Sequence, residues 1–158
     1  MDTVIAAPFG RLLLSTEADN LLGLTFMPPD TPLTDKPATG VTAEVIHQLE
    51  CYFADPAYVF NVKCLLHGTP YQQRVWMQIA AIPSGQTRCY HEIASALKSS
   101  PRAVGGACGR NPVPVIIPCH RVVAANGLGG FNQTHGSGWL MDIKRWLLQH
   151  EGVLQTLF

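Results

Sequence analysis

Pro118-Cys119-His120-Arg121 closes an apolar run, Val113-Pro114-Val115-Ile116-Ile117. The reactive form of cysteine is the thiolate, a soft nucleophile. A histidine and an arginine beside it in the chain supply a proton acceptor and a cation, and both favour that form. Prolines 112, 114 and 118 fix φ and remove backbone donors along the approach. The sequence therefore predicts one thiol held on a stiff, strand-like platform. The same residues also fit a buried strand end with a passive cysteine. Cys119 taken alone does not decide between the two.

Several broad classes are excluded or bounded by composition. With 158 residues and 47% hydrophobic content, the chain can form one domain, or a small lobe and a larger one. No apolar stretch approaches the roughly 18–20 residues that span a bilayer. The start lacks a basic segment followed by a long apolar one, so no signal peptide is expected. The five cysteines, 51, 64, 89, 108 and 119, form no CxxC pair. That pattern predicts free thiols in a reducing compartment and no zinc ribbon, and leaves open a metal shared between distant Cys and His residues. Cys51, Cys64 and Cys89 read as incidental thiols. Net charge is zero, but it is unevenly spread. Residues 1–69 hold three basic and eight acidic side chains, a net of −5. Residues 70–121 hold six basic side chains against Glu92, a net of +5. The asymmetry predicts an acidic lobe and a lobe that faces a polyanion, or else chance segregation on a solvated surface.

These residues must be positioned by an α+β fold of two parts. Residues 1–67 read as a small β-rich lobe with one helix. Strand-like runs occur at Thr3–Ala6, Arg11–Ser15, Leu21–Phe26 and Tyr58–Cys64, and a helix at Thr42–Phe53 with Thr42 as its cap. Residues 68–158 read as mainly helical, with helices at Tyr71–Ala81, Tyr90–Leu97, Arg102–Arg110 and Leu140–His150. Ser99-Ser100-Pro101 caps the third of these. Two short helices joined by a tight turn form a helix-turn-helix pattern. Ala103, Gly105, Gly106, Ala107 and Gly109 crowd the second of them. Glycine weakens a helix by about 1 kcal/mol relative to alanine. Either something must approach this backbone closely, or the helix packs tightly on the core.

Four blocks carry a resemblance. The first is Gly68-Thr69-Pro70-Tyr71-Gln72-Gln73 with Val75-Trp76, Ile82-Pro83, Gly85-Gln86-Thr87 and Tyr90. Arg102-Ala103-Val104-Gly105-Gly106-Ala107 is the second, and Asn111-Pro112-Val113-Pro114 through Pro118-Cys119-His120-Arg121-Val122 the third. Lys144, Trp146-Leu147-Leu148 and His150-Glu151-Gly152 make the fourth. In this order and spacing they resemble the O6-alkylguanine-DNA alkyltransferases, strongly over residues 68–152 and weakly over 1–67.

The resemblance implies a DNA repair protein that takes the alkyl group of O6-alkylguanine, and of O4-methylthymine, irreversibly onto Cys119. No cofactor is implied, and the expected form is a monomer on the minor groove of double-stranded DNA with the damaged base flipped out. Arg102 would fill the gap, with Ala103, Gly105 and Gly106 allowing close approach and Arg110 and Arg121 contacting DNA. Asn111 would order the turn beneath the cysteine. His120, held by Glu151, would accept the thiol proton through a water, and Tyr90 would hydrogen-bond the extruded base. Tyr90, Phe131 and Val122 would line the base pocket. Cys108 stands where relatives often carry a larger side chain or asparagine, and the loop 132–139, which covers the base in the family, is longer than usual. The alternative is a non-catalytic binder of alkylated DNA, whose known examples commonly carry tryptophan in place of the nucleophile. A third reading is a cysteine hydrolase or redox protein using Cys119, His120 and Glu151 on a small molecule.

Overall fold

Alternation of apolar side chains builds the first of two units, residues 1–67 and 68–158. The computed structural model describes residues 1–132, 134, 135 and 138–153. Strands β1 (Asp2–Ala7), β2 (Gly10–Glu17) and β3 (Asn20–Met27) form an antiparallel meander in the order β1-β2-β3. Leu12 pairs with Ile5 and Phe26, and Leu14 with Thr3 and Leu24. Strand side chains alternate between faces, so Leu12, Leu14, Leu24 and Phe26 share the buried face. Helix α1 (Gly40–Ala54) covers it with Val45, Leu49 and Tyr52.

Two expectations for this unit need correction. Thr42 does not cap the helix; Thr39 stands at the cap position and Thr42 is inside. The hydroxyl of Thr42 lies 2.9 Å from that of Thr16 in the interior, which satisfies both. Tyr58–Cys64 is not a strand. Its contact with the sheet is one parallel bridge, Leu21 to Cys64. Gln48 takes its backbone groups instead: Nε2 donates to the Asn61 carbonyl at 2.9 Å, and Oε1 accepts the Asn61 N–H at 2.8 Å.

The second unit is mainly helical. Helix α2 (Pro70–Ala80) opens with a capping box, in which Thr69 accepts the Gln72 N–H at 3.1 Å and Gln72 accepts the Thr69 N–H at 3.0 Å. Helices α3 (Tyr90–Leu97) and α4 (Pro101–Gly109) are joined by three residues. Lys98 ends α3 in the left-handed region, and Ser100 caps α4 by accepting the Ala103 N–H at 3.2 Å. Trp76 ties α2 to α4 by donating from Nε1 to the Ala107 carbonyl at 2.9 Å, fully inside. Two-residue strands β4 (Arg88–Cys89) and β5 (Val122–Val123) pair in parallel, and β6 (Gly130–Phe131) pairs with β7 (Thr134–His135). Between α4 and β5 stands a 3-10 turn, Cys119–Arg121. Helix α5 (Trp139–His150) buries Met141, Ile143, Lys144, Leu147 and Leu148. The mixed α+β class and all four helices read from the sequence of this unit are present.

Gly68 sits where the second unit begins. A Cβ there would lie 2.5 Å and 2.7 Å from the Trp76 ring, which is itself pinned and 2% exposed. Gly68→Ala is therefore expected to lower stability by about 1–3 kcal/mol through overpacking. Urea unfolding checks it, and an unchanged midpoint would show that the ring is free to move.

Candidate active site

Cys119 is positioned by Asn111. That side chain accepts the Val113 N–H at 3.0 Å and donates from Nδ2 to the Ile117 carbonyl at 2.8 Å and to Cys119 Sγ at 3.0 Å. Backbone bonds from Ile117 N–H to Val113 O and from Cys119 N–H to Ile117 O, 2.9 Å and 2.8 Å, fold the segment on itself. The expected strand-like platform is thus a tight turn. Its prolines leave few donors for a ladder; Asn111 takes the Val113 N–H, and the Ile117 and Cys119 N–H groups bond back within the segment. Val115 is held at φ 75° within it, buried. A β-branched residue in that region carries strain of order 1–3 kcal/mol. The surrounding bonds must hold it there.

The side-chain bonds of His120 and Arg121 do not go to the Cys119 sulfur. His120 and Arg121 turn inward to Glu151 at the C-terminus of α5. His120 Nε2 lies 2.9 Å from Glu151 Oε2. Arg121 donates to the same carboxylate from Nε at 2.9 Å and Nη2 at 2.8 Å, and from Nη1 to the Ile82 carbonyl at 2.6 Å. Arg121 is 9% exposed, with its charge matched inside. Its expected place among DNA contacts is corrected: it braces the turn that carries Cys119. The bonds from His120 and Arg121 hold Glu151 far below the usual carboxylate range, against the opposing effect of burial. Burial lowers His120 below its ordinary value, although Glu151 opposes this. His120 Nδ1 is buried with no hydrogen-bond partner among the described residues.

Burial, followed by the adjacent thiol of Cys108, pushes the Cys119 thiol well above its ordinary value. Asn111 and Lys144 act in the opposite direction. The resting group is a thiol. Lys144, which carries no role in the expectations from sequence, also acts on this sulfur. It is fully buried and donates from Nζ to the carbonyls of Val122 at 2.8 Å and Gly130 at 2.6 Å. Burial lowers it to about 8. The signal was present in the pattern: Lys144 falls on the apolar stripe of Leu140, Ile143 and Leu147, four residues after Leu140.

A cavity of about 570 Å³ opens over Cys119. Tyr90, Phe131 and Asn132 line it, together with α4 residues Arg102, Gly105, Gly106, Cys108 and the following Arg110. Tyr90 donates its O–H to the Gly130 carbonyl at 3.4 Å and accepts the Gly130 N–H at 3.3 Å. Burial pushes this phenol up to about 12, so it stays protonated. Gly129, at φ 74°, lets the chain pass the ring, since a Cβ there would lie 2.9 Å from Tyr90 Cε2. Phe131 is in the wall of this cavity. Val122 is not: it is fully buried, pairs with Arg88, and gives its carbonyl to Lys144. On α4, Arg102, Ala103 and Gly106 are exposed, as is Arg110 after it, while Val104 and Ala107 face the core. The loop expected to cover the base, 132–139, lies partly outside the described residues.

Comparison with known proteins places this arrangement in context. Residues 70–153 match the family model described as 6-O-methylguanine DNA methyltransferase, DNA binding domain. A Methanosarcina acetivorans methylated-DNA–protein-cysteine methyltransferase is 39% identical over 157 residues, covering 94% of this chain and 96% of that one. A Bacillus subtilis relative, named as the constitutive enzyme, is 35% identical over 90% of this chain and 94% of its own. The crystal structure of Mycobacterium tuberculosis OGT in complex with DNA superposes with a TM-score of 0.78 at 37% identity, covering 96% of this chain and 92% of that one.

The buried carboxylate makes stability depend on pH in a defined direction. Glu151 binds its proton more weakly folded than unfolded, so its contribution is complete above about pH 4.3. It is lost as pH falls from there toward the lower folded value. His120, also lowered, adds a loss that begins below about pH 6.5. Glu151→Gln leaves the Arg121 guanidinium without its anion and is expected to cost roughly 3 kcal/mol at neutral pH. It should also remove the loss below about pH 4.3 while keeping the one that starts near 6.5. Thermal unfolding across pH measures both, and an unaltered acid limb would show that Glu151 is not its source.

Proposed function

Because the chain belongs to the methylated-DNA–protein-cysteine methyltransferase family, we propose that it repairs DNA by moving the alkyl group of O6-alkylguanine, and of O4-methylthymine, onto its own Cys119. The observation that carries this reading is the thiol itself: Cys119 lies at the cavity, bonded to Asn111, and the adjoining His120 and Glu151 form a buried acid–base pair.

In this mechanism Glu151, fully ionised, accepts the Nε2–H of His120. That fixes the tautomer and leaves Nδ1 with a lone pair, the buried atom that has no partner among the described residues. Nδ1 takes the Cys119 proton through an intervening water as Sγ attacks the alkyl carbon. The carbon–O6 bond breaks, its electron pair leaves with guanine, and the imidazolium is neutralised by Glu151. Tyr90, held protonated, offers its O–H to N3 of the departing base. Lys144 and Asn111 steady the anion that develops on sulfur. The product is a thioether with no hydrolytic route back, so each molecule acts once and requires no cofactor.

DNA is read by α3 and α4 as a helix-turn-helix on the minor groove. Arg102 at the start of α4 borders the cavity and fills the gap left by the extruded base. Gly106 favours close approach over tight internal packing, because a Cβ added there would meet nothing within 4 Å. Arg110, exposed at the far end of α4, faces the phosphates. A non-catalytic binder is the weaker reading, since a thiol stands where such proteins commonly carry tryptophan. No helix among the described residues is long and apolar enough to cross a membrane, and a cytoplasmic monomer completes the proposal.

Incubation with a duplex carrying one O6-methylguanine should add one methyl, mapped by mass to the peptide holding Cys119. Cys119→Ser should add none and still bind the duplex; methylation of the variant would overturn the acceptor assignment. Gly106→Ala separates the two sides of α4. It should raise stability by about 0.5–1 kcal/mol and slow transfer from duplex DNA more than from free O6-benzylguanine. Equal slowing on both substrates, or none on either, would refute close approach at this position.

A further inference from the structure

A second thiol shares the acceptor cavity. Cys108 stands on the last turn of α4, half-buried, and lines the same space as Cys119. Asn111 connects the two, donating its backbone N–H to the Cys108 carbonyl at 3.2 Å and its Nδ2 to Cys119 Sγ at 3.0 Å. The thiols also act on each other directly through their side chains, and the Lys144 ammonium acts on both. Alkyl transfer uses Cys119 and gives Cys108 no part.

We propose that Cys108 and Cys119 form a redox pair: a hydroperoxide closes them into an intrachain disulfide that masks the acceptor reversibly. Cys119, a thiol at rest whose developing anion Lys144 and Asn111 steady against burial, attacks one peroxide oxygen as its proton passes to the departing oxygen. The O–O bond breaks, sulfur becomes a sulfenic acid, and the other oxygen leaves as water or an alcohol. Cys108 then attacks the sulfenic sulfur, the S–S bond forms, and its thiol proton leaves with the hydroxyl as water. Two electrons pass from the sulfurs to the peroxide, and no other reactant is needed. The ring that closes is short and already pinned by Asn111, so little chain freedom is lost. Without a resolving thiol, the sulfenic acid oxidises on to the sulfinic form, which thiols do not reverse. In a protein with a single-use acceptor, Cys108 thus preserves the sulfur. That last consequence rests on Cys119 being the alkyl acceptor; formation of the disulfide does not.

The test treats the full chain with hydrogen peroxide, blocks free thiols, and digests with trypsin without reductant. Cleavage after Arg102, Arg110 and Arg121 puts Cys108 on peptide 103–110 and Cys119 on peptide 111–121. The expected product is these two peptides joined, lighter than their sum by about 2 Da for two hydrogens. Transfer from O6-methylguanine DNA should be lost on oxidation and restored by dithiothreitol. Cys108→Ser, or Cys108→Ala should the first fail to fold, should give no joined peptide, a sulfinic Cys119, and transfer that dithiothreitol does not restore. Sulfinic Cys119 in the native sequence, or linkage to Cys51, Cys64 or Cys89 instead, would overturn the pair. A joined peptide with undiminished transfer would overturn the masking and place the fault in the acceptor assignment.

Discussion

The carboxylate of Glu151 holds two basic side chains inside the protein, and the reactive turn depends on it. Taking an ion out of water costs several kcal/mol, and a buried pair repays this only with good geometry and satisfied donors. Glu151 meets both conditions: Arg121 grips it with two donors, and His120 adds a third bond. The same contacts bind the end of α5 to the turn that carries Cys119. One carboxylate therefore sets the position of His120 and Arg121 beside Cys119 and ties down the end of the last helix. A local function for Glu151 and a structural one are not separable here.

Cys119 is shaped by opposing demands. Burial keeps the resting sulfur protonated. Asn111 and Lys144 act against it, one through its Nδ2–H bond to the sulfur and the other through its charge. Lys144 is costly to bury, and its two carbonyl bonds reduce that cost while joining α5 to Val122 and Gly130. Gly130 in turn bonds Tyr90. The wall of the cavity and the electrostatics of the sulfur thus share one lysine. The strain at Val115 fits this picture, because the turn must aim Cys119 at the cavity rather than relax into a strand.

Helix α4 has two different faces for two different reasons. Val104 and Ala107 pack inward, and Trp76 bonds the Ala107 carbonyl, so that side is fixed by the core. The outward side carries Gly106, open to solvent, and is flanked by Arg102 and Arg110. Glycine on an open helical surface lowers stability and gains nothing internally. Under the proposed function, DNA at contact distance from the backbone supplies the reason for it.

Much of this was legible in the residue order. Turn residues, caps and 3.6-residue periodicity are local, so the four helices of the second unit and the three strands of the first could be read within a residue or two. The four blocks carried the family; of the residues in them, Tyr90 and Arg102 line the cavity and Asn111 bonds the Cys119 sulfur. Side-chain direction could not be read, because it is set by partners distant in sequence. Arg121 looks like a surface cation until Glu151, 30 residues away, claims it. Val122 looks like a pocket residue until its carbonyl is given to Lys144. Tyr58–Cys64 has the composition of a strand, yet Gln48 holds its backbone. The sequence by itself determined which groups were available to react. The tertiary structure decided which of them reach the sulfur and which are spent holding it in place, because burial and pairing depend on neighbours that chain order does not reveal.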